Sequence, residues 1–247
     1  MFPDLLREGA ILIADAHCAP WRTPFLDFLR ALESGAVQTP QLILMGDILD
    51  MLYGPIPRTY RYNAEAIERL NRLSSRIEVI YLEGNHDFLL SRVLPNVRVI
   101  RRQEQPLLMR YGERILSLSH GDTVMGTGYE IYTALIRNPF VLWTLRIVDI
   151  LGRGFIVAWL EKLMKHKTHC RTIDDFETVI RKRLSGINCT GIDIMIEGHF
   201  HQNRTFDFGS LHYINLAAFA CNERYFTVQS TQNKTLLQEA VFRKEPR

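Results

Sequence analysis

The sequence lacks the features that would mark a closed zinc site, a disulfide framework or a membrane-spanning protein. Its four cysteines, Cys18, Cys170, Cys189 and Cys221, form no CxxC pair and no regular spacing, so we expect reduced cysteines and a cytoplasmic location. The first residues include acids and no long apolar core, and we therefore expect no signal peptide. The longest apolar stretch, residues 140–163, is interrupted by charged residues. This argues against a spanning helix and leaves open a helix that lies on a membrane surface.

The sequence also lacks an excess of charge of one sign, and its formal net charge is only +3 over 247 residues. A balance this mild does not predict nucleic-acid binding, and we expect no nucleic-acid partner. The basic residues are nevertheless concentrated between positions 137 and 183, namely Arg137, Arg146, Arg153, Lys162, Lys165, Lys167, Arg171, Arg181, Lys182 and Arg183. Such a segment is either a solvated helical face or a surface for anionic substrate or lipid.

The order of apolar runs predicts one α/β domain spanning residues 1–247. Short runs typical of buried strands lie at 10–15, 41–47, 77–87, 114–122 and 192–201, while residues 22–34 and 63–75 have helical spacing. Strands that alternate with helices favour a mainly buried sheet with a site beyond the carboxyl ends of its strands. Residues 123–185 interrupt this order and predict a helical insertion, a natural lid. Residues 203–243 favour further strands, including 210–219 and 225–231.

Polar residues that can bind metals follow each of the five predicted strands. The motifs are Asp15-Ala16-His17, Gly46-Asp47 with Asp50 nearby, Gly84-Asn85-His86-Asp87, His120-Gly121-Asp122 and Gly198-His199-Phe200-His201. In an extended backbone, alternate residues point the same way, so Asp15 with His17, and His199 with His201, can each offer two ligands to one pocket. Carboxylate and imidazole ligands suit Mn, Fe or Zn. The glycines allow tight turns and a close approach of the backbone to a bound phosphate.

The ordered set of motifs resembles the calcineurin-like metallophosphoesterase superfamily across essentially the whole chain. That resemblance implies a four-layer α/β/β/α sandwich that holds two divalent metal ions. It implies Asp15, His17 and His201 as ligands of one ion, Asn85, His120 and His199 as ligands of the other, and Asp47 as the bridge between them. It further implies His86 as a catalytic acid or phosphate-binding cation, with Asp87 as the residue that orients it.

Residues 120–139, HGDTVMGTGYEIYTALIRNP, and the segment GNHDFLL resemble UDP-2,3-diacylglucosamine hydrolases of lipid A biosynthesis. This narrower resemblance implies hydrolysis of the substrate's pyrophosphate to lipid X (2,3-diacylglucosamine 1-phosphate) and UMP. It also implies two metal ions, with Mn²⁺ favoured over Fe or Zn, and peripheral contact with the cytoplasmic face of the inner membrane. Asn85, Tyr129 and Arg137 are the expected substrate-binding residues. Many members of this family have Arg where this chain has His86.

The insertion has the composition that a UDP-linked lipid would need. Its apolar residues Leu135, Phe140, Trp143, Leu145, Ile147 and Phe155 could form a groove for acyl chains, and Arg137, Lys162, Lys165 and Lys167 could contact the diphosphate or lipid headgroups. The same apolar residues could instead pack the insertion onto the core. Two alternatives therefore stay open: a phosphoesterase for nucleotides or other soluble phosphomonoesters and diesters, and a non-catalytic scaffold of this fold. All seven expected ligand positions are filled, which argues against the scaffold.

Overall fold

The computed structural model describes residues 3–230 and 236–242. Both chain ends of the predicted domain, and Thr231 at the end of the expected strand 225–231, lie outside these residues. The strands are β1 (Asp4–Leu5), β2 (Ile11–Ile13), β3 (Gln41–Leu44), β4 (Leu52–Tyr53), β5 (Glu78–Leu82), β6 (Asp87–Phe88), β7 (Arg98–Ile100), β8 (Leu107–Tyr111), β9 (Arg114–Ser119), β10 (Ile194–Glu197), β11 (Arg204–Phe208), β12 (Leu211–Asn215), β13 (Arg224–Val228) and β14 (Leu237–Val241). The helices are α1 (Pro24–Ser34), α2 (Pro57–Leu73), α3 (Thr127–Ile136), α4 (Pro139–Leu151), α5 (Phe155–Lys165), α6 (Phe176–Leu184) and α7 (Phe219–Asn222).

Two six-stranded sheets form the body of the chain. One has the order β14-β13-β2-β3-β5-β7 and the other the order β1-β8-β9-β10-β12-β11. Strands β2, β3, β5 and β7 run parallel to one another, as do β9, β10 and β12. These sheets and their flanking helices confirm the predicted α/β class.

Strand β3 contains three successive apolar residues, Leu42 to Leu44, because both of its faces are covered. Leu42 and Leu44 belong to a core shared with α1 and α2, whereas Ile43 lies between them in sequence and belongs to a core shared with the second sheet. Alternate residues of a strand point to opposite faces, so a strand that is covered on both faces reads as a continuous apolar run. On the far side, α6 packs onto the second sheet through Phe176 and Ile180. These contacts favour the order α/β/β/α that the resemblance implies.

Helices α1 and α2 begin with proline, which lacks the amide hydrogen that the first turn of a helix cannot satisfy internally. Helix α1 ends at Gly35, whose φ of 79° is the left-handed conformation common just after a helix. Helix α2 begins at Pro57, six residues before the expected start at residue 63. Strands β7 and β8 were not anticipated, because residues 98–111 mix charged and apolar side chains without a regular period.

Four helices, α3 to α6, occupy residues 127–184 of the predicted insertion. Its end is fixed by a buried ion pair in which Arg183 on α6 donates two hydrogen bonds to Glu197 on β10, at 2.5 and 2.9 Å. Its middle packs through Leu142 and Val157 onto the loop region around Phe88. The action of this segment as a lid remains a prediction. None of the helices in the described part of the chain has the length and apolar character needed to span a bilayer.

The expectation that all cysteines are reduced is wrong for two of them. Cys170 and Cys221 form a disulfide across 51 residues of sequence, while Cys18 and Cys189 are unpaired. The pair belongs to no spacing pattern, and only the fold brings its Cα atoms to 5.7 Å, within bridging distance. The cysteines therefore give no support to a reducing compartment.

Candidate metal centre

The five motifs meet because each follows the carboxyl end of a parallel strand. Asp15, Asp47 and Asn85 come after β2, β3 and β5, which are neighbours in one sheet. His120 and His199 come after β9 and β10, which are neighbours in the other sheet. Since both sets of strands end at the same place, residues far apart in sequence form one site, as sheet geometry predicts.

The local geometry of the motifs differs from the expected extended backbone. Asp15, His17, Asp47, His199 and His201 all have positive φ, between 42° and 64°. The paired ligands therefore converge through left-handed turns after each strand, and the alternation along an extended strand is not the cause. For residues other than glycine this conformation costs on the order of 1–3 kcal/mol each and persists only where the surroundings enforce it, which is typical of functional sites.

Two groups of ligand atoms lie side by side. Asp15, His17 and His201 each offer one ligand atom, and these atoms lie within 4.8 Å of one another. The same holds for the ligand atoms of Asp47, His120 and His199. A third grouping of Asp47 with His17 and His86 connects the two sides. This division matches the two ligand sets that the resemblance implies, with Asp47 at the junction.

Asn85 completes the second group. Its Oδ1 lies 3.3 Å from His120 Nε2, and His199 Nδ1 lies 3.3 Å from the same nitrogen. His120 Nδ1 donates to the Met45 carbonyl at 3.0 Å, which turns Nε2 into the site. Fixing one ring nitrogen by a hydrogen bond in this way selects the tautomer that can bind a cation through the other.

Asp50 orients two of the histidines. Its Oδ1 lies 3.1 Å from Nδ1 of His17 and 3.1 Å from Nδ1 of His86, and His86 Nδ1 also donates to the Asp50 carbonyl at 2.9 Å. The carboxylate is fully buried. Asp50 stands beside Asp47 in its motif, and no role was predicted for it. Its position three residues after the strand motif was the available signal.

Asp87 does not orient His86, contrary to the expectation. Its carboxylate accepts hydrogen bonds from the amides of Asp47, Ile48, Leu49 and Gly84 and from the Tyr81 hydroxyl. The side chain points back under the loop that carries Asp47, and it is fully buried. Asp87 therefore fixes the backbone of that loop.

Glycine is required where the ligands crowd the backbone. A Cβ atom on Gly84 would lie 2.2 Å from Asp47 Oδ1, and one on Gly198 would lie 2.6 Å from Asp15 Oδ2. Both distances are far below contact distance. At these two positions, glycine lets the backbone approach the side chains of the proposed ligands Asp47 and Asp15.

The electrostatics of the site suit a cation. Burial, and then the neighbouring His120, lower the pKa of His199 to about 4, and burial also lowers the pKa of His17. Both rings are therefore neutral near pH 7 and present a lone pair. Burial would raise the pKa of Asp47, but His120, His86 and His17 outweigh it and hold this pKa well below its usual range. In addition, His17 Nε2 is buried and has no hydrogen-bond partner in the described part of the chain. The neutral rings of His17 and His199 beside the ionised Asp47 fit a divalent metal ion, whereas His120 must lose its proton to bind one, because burial is outweighed by nearby carboxylates, which raise its pKa to about 9.

A cleft of about 510 Å³ opens onto these residues. One wall is formed by the predicted ligands His17, Asp47, Asn85, His199 and His201. The opposite wall is formed mainly by residues 167–174 of the insertion. On this wall, Lys167 Nζ lies 2.9 Å from Nε2 of His86.

The two expected substrate-binding residues of the insertion lie beside the site. The Tyr129 ring centre is 6.3 Å from that of His199, and its hydroxyl lies 3.5 Å from Asp122. Arg137 donates from Nη2 to the Gly84 carbonyl at 2.8 Å and lies over the Phe88 ring at 4.7 Å. Its Nε and Nη1 are buried without a partner in the described chain. Arg137 thus already holds the loop that carries Asn85 and His86.

The expected apolar groove is not where the sequence interpretation placed it. None of the six residues proposed to form it is among those that line the cleft, namely Leu135, Phe140, Trp143, Leu145, Ile147 and Phe155. Phe140 and Phe155 are 72% and 71% exposed, whereas Leu145 packs against the core of α4 and α5. Helical spacing shows which residues share a face, but not which way that face turns.

Similarity to known proteins is clearest in sequence. UDP-2,3-diacylglucosamine hydrolase of Aliivibrio fischeri (strain MJ11) is 23% identical over 203 residues, which cover 80% of this chain and 83% of the relative. The hydrolase of the same name from Pseudomonas aeruginosa (strain UCBPP-PA14) is 26% identical over 201 residues, with 78% and 82% covered. That of Photorhabdus laumondii (strain TT01) is 30% identical over 137 residues, with 53% and 56% covered. No protein-family model matches the chain.

Solved structures overlap with most of the chain at low similarity. An archaeal phosphodiesterase covers 94% of this chain with a TM-score of 0.46 and 11% identity, and 99% of its own chain is covered. YfcE, a phosphoesterase from E. coli, covers 94% with a TM-score of 0.45 and 13% identity, and 98% of its own chain is covered. The sequence relatives confirm the predicted resemblance to UDP-2,3-diacylglucosamine hydrolases.

Proposed function

We propose that this chain is a two-metal phosphoesterase that hydrolyses the pyrophosphate of UDP-2,3-diacylglucosamine to UMP and lipid X in lipid A biosynthesis. The observation that carries the proposal is the pair of ligand groups joined at Asp47. The relatives that share about four fifths of the chain carry the name of this activity, which supports the choice of substrate.

In this proposal Asp15, His17 and His201 hold one divalent ion, while Asn85, His120 and His199 hold the second. Asp47 contributes to both. Mn²⁺ is the favoured ion, and Fe or Zn would also suit a set of carboxylate, amide and imidazole ligands. When bound, two such ions neutralise charge on the phosphoryl group and make hydroxide available near neutral pH.

The chain's own residues position and stabilise the leaving group. Lys167 lines the cleft, and its Nζ donates to Nε2 of the buried His86 at 2.9 Å. The leaving group of a pyrophosphate is itself a phosphate, which needs charge stabilisation more than protonation. We assign His86 and Lys167 to the binding of that phosphate. His86 Nε2 accepts from the Lys167 ammonium, so it would donate a proton to the phosphate only after taking one up and releasing Lys167. Asp50 keeps the His86 ring in place through Nδ1.

Arg137 and Tyr129 are the proposed substrate contacts from the insertion. The two unpartnered guanidinium nitrogens of Arg137 are available as donors to a phosphate, and its third nitrogen holds the Gly84 carbonyl. A planar guanidinium can serve both partners at once, which an ammonium cannot. Substrate binding at Arg137 would therefore be coupled to the loop that carries Asn85.

The exposed apolar face of the insertion favours peripheral membrane contact, the remaining part of the proposal. The large exposed side chains on α3, α4 and α5 are Ile131, Tyr132, Leu135, Phe140, Trp143, Val148, Ile150, Leu151, Phe155, Trp159 and Leu163. An apolar face of this extent, interspersed with Arg146, Arg153, Lys162 and Lys165, is typical of a surface that meets anionic lipid. A lipid substrate could then enter from the membrane.

A phosphoesterase for soluble phosphomonoesters or diesters is the second candidate. The composition of the cleft favours it. The walls of the cleft are rich in polar side chains, and none of the six residues expected to form an apolar groove lines it. The same metal chemistry would serve either substrate, so only turnover can separate them.

The test compares the two substrates with one preparation. Metal-free full-length protein is reloaded separately with Mn²⁺, Fe²⁺ or Zn²⁺ and offered UDP-2,3-diacylglucosamine and bis-p-nitrophenyl phosphate. We expect UMP release with strong preference for the lipid, and no release by Asp47→Ala. Turnover of the diester with none of the lipid would remove the narrow proposal and leave the soluble one. For membrane contact, Phe140→Ser with Trp143→Ser should weaken co-sedimentation with anionic vesicles. Leu5→Ser, an exposed residue on β1, should not.

A further inference from the structure

Residue 169 of the insertion touches two of the proposed ligands through separate atoms. Its backbone carbonyl accepts the Nδ1 hydrogen of His201 at 2.5 Å, which turns His201 Nε2 toward Asp15 at 3.1 Å. Its imidazole ring lies with its centre 4.0 Å from that of His17. The first contact needs only a backbone, whereas the second depends on the histidine side chain.

The His169 ring is buried and unsatisfied. The residue is 8% exposed, and its Nε2 has no hydrogen-bond partner among the described residues. A buried polar nitrogen left without a partner costs about 1–3 kcal/mol, so such atoms call for a ligand. His17 Nε2 beside it is in the same condition. Two neighbouring imidazoles with unpartnered nitrogens are the arrangement expected around a cation.

We propose that His169 is a further ligand of the divalent ion held by His17, supplied by the insertion to a centre otherwise built from the core. One nitrogen of His17, one of His169 and a carboxylate oxygen of Asp50 lie within 4.8 Å of one another. Two nitrogens that bind one ion at about 2.0–2.1 Å in tetrahedral geometry lie roughly 3.4 Å apart, so a closure of up to about 1.4 Å would bring both rings onto it. The proposal rests on the proposed two-metal function.

The segment that carries His169 is anchored to the core beside the same ligands. Cys170, the next residue, is joined by the disulfide to Cys221 in α7. Just before Cys221, the amides of Phe219 and Ala220 donate to the carbonyls of Ala14 and Asp15 at 2.9 and 3.1 Å. The insertion is thus tied to the segment that supplies Asp15, which limits the ways in which the His169 ring can leave the site.

Metal affinity of the full chain tests the proposal without any substrate. Zn²⁺ binding is measured by competition with a chromophoric chelator for the wild type, His169→Ala and the matched control His166→Ala. His166 lies three residues away on the same segment and is exposed. We expect one of two ions to bind at least about tenfold more weakly in His169→Ala, and both to bind normally in His166→Ala. If His169→Ala binds both ions with the affinities of the wild type, the proposal is overturned.

A measurement on the wild type guards against a variant that merely misfolds. The ring ¹⁵N resonances of the histidines are recorded by NMR before and after addition of Zn²⁺. We expect a ring nitrogen of His169 to shift together with those of His17 and His201, while His166 stays unchanged. Shifts at His17 and His201 with none at His169 would overturn the inference and leave the proposed function standing. Failure of the wild type to bind Zn²⁺ at all would overturn both.

Discussion

Replacement of Asp50 tests whether the orientation of His17 affects metal affinity, because Asp50 holds this histidine and is not itself one of the proposed ligands. Asp50→Asn keeps the shape of the side chain and one oxygen that can accept from His17 Nδ1. In the wild type, this nitrogen lies 3.1 Å from Asp50 Oδ1. The substitution removes the negative charge. A hydrogen bond to a charged group contributes about 1.5–3 kcal/mol and one between neutral groups about 0.5–1.5 kcal/mol. The difference of about 1–1.5 kcal/mol corresponds to roughly 5- to 13-fold weaker metal binding. Asp50→Ala loses the whole bond and should weaken binding about 10- to 100-fold.

Chelator competition on purified protein measures these changes directly. The matched control is Asp207→Asn, which alters another aspartate–histidine pair, Asp207 with His212 at 2.7 Å. That pair lies on the surface, with the Asp207 side chain 79% exposed, and should leave metal affinity unchanged. Equal affinity in the wild type, Asp50→Asn and Asp50→Ala would refute the idea that a buried carboxylate orients His17.

Three further outcomes follow from the geometry of the site. Gly84→Ala should lose metal binding and stability, because its Cβ would lie 2.2 Å from Asp47 Oδ1, whereas Gly128→Ala in the open part of α3 should be tolerated; thermal unfolding and metal content check both. Burial lowers the pKa of His120, but Asp47 and Asp15 outweigh it and raise that pKa to about 9. An incoming ion must displace this proton, so metal affinity should rise about tenfold per pH unit from pH 7 and level off near pH 9; a flat profile in chelator titrations would contradict this. Arg137→Lys should raise KM for the substrate while metal affinity stays within twofold, since one donor replaces a forked group; loss of metal instead would make Arg137 purely a support for the Gly84 loop.

The site was predictable in composition because its residues lie in short motifs, each directly after an apolar strand. Parallel strands end together, so Asp15, Asp47 and His120 could be brought to one place from sequence alone. The means of convergence was not predictable in the same way. A backbone with φ near 51° at Asp15 and Asp47 is enforced by tertiary contacts, so it cannot be predicted from the conformational preference of aspartate.

The remaining surprises are side chains whose partners are distant in sequence. Asp87 follows His86 directly, and adjacency suggested that it orients that histidine. The fold instead brings it under the amides of residues 47–49. Cys170 and Cys221 belong to no motif and are brought together only by the packing of the insertion on the core. The exposed direction of Phe140 is likewise a property of how α4 is placed, which its own sequence does not contain.

Metal stoichiometry of turnover tests the central claim most directly. Metal-free protein is titrated with Mn²⁺ while the release of UMP from UDP-2,3-diacylglucosamine is followed, with bound metal measured at every point. We predict that the rate rises to a plateau at two ions per chain, and that Asp47→Ala gives no turnover at any metal concentration. Full activity with one ion per chain, or activity that persists in Asp47→Ala, would contradict a phosphoesterase built around two metals that share Asp47.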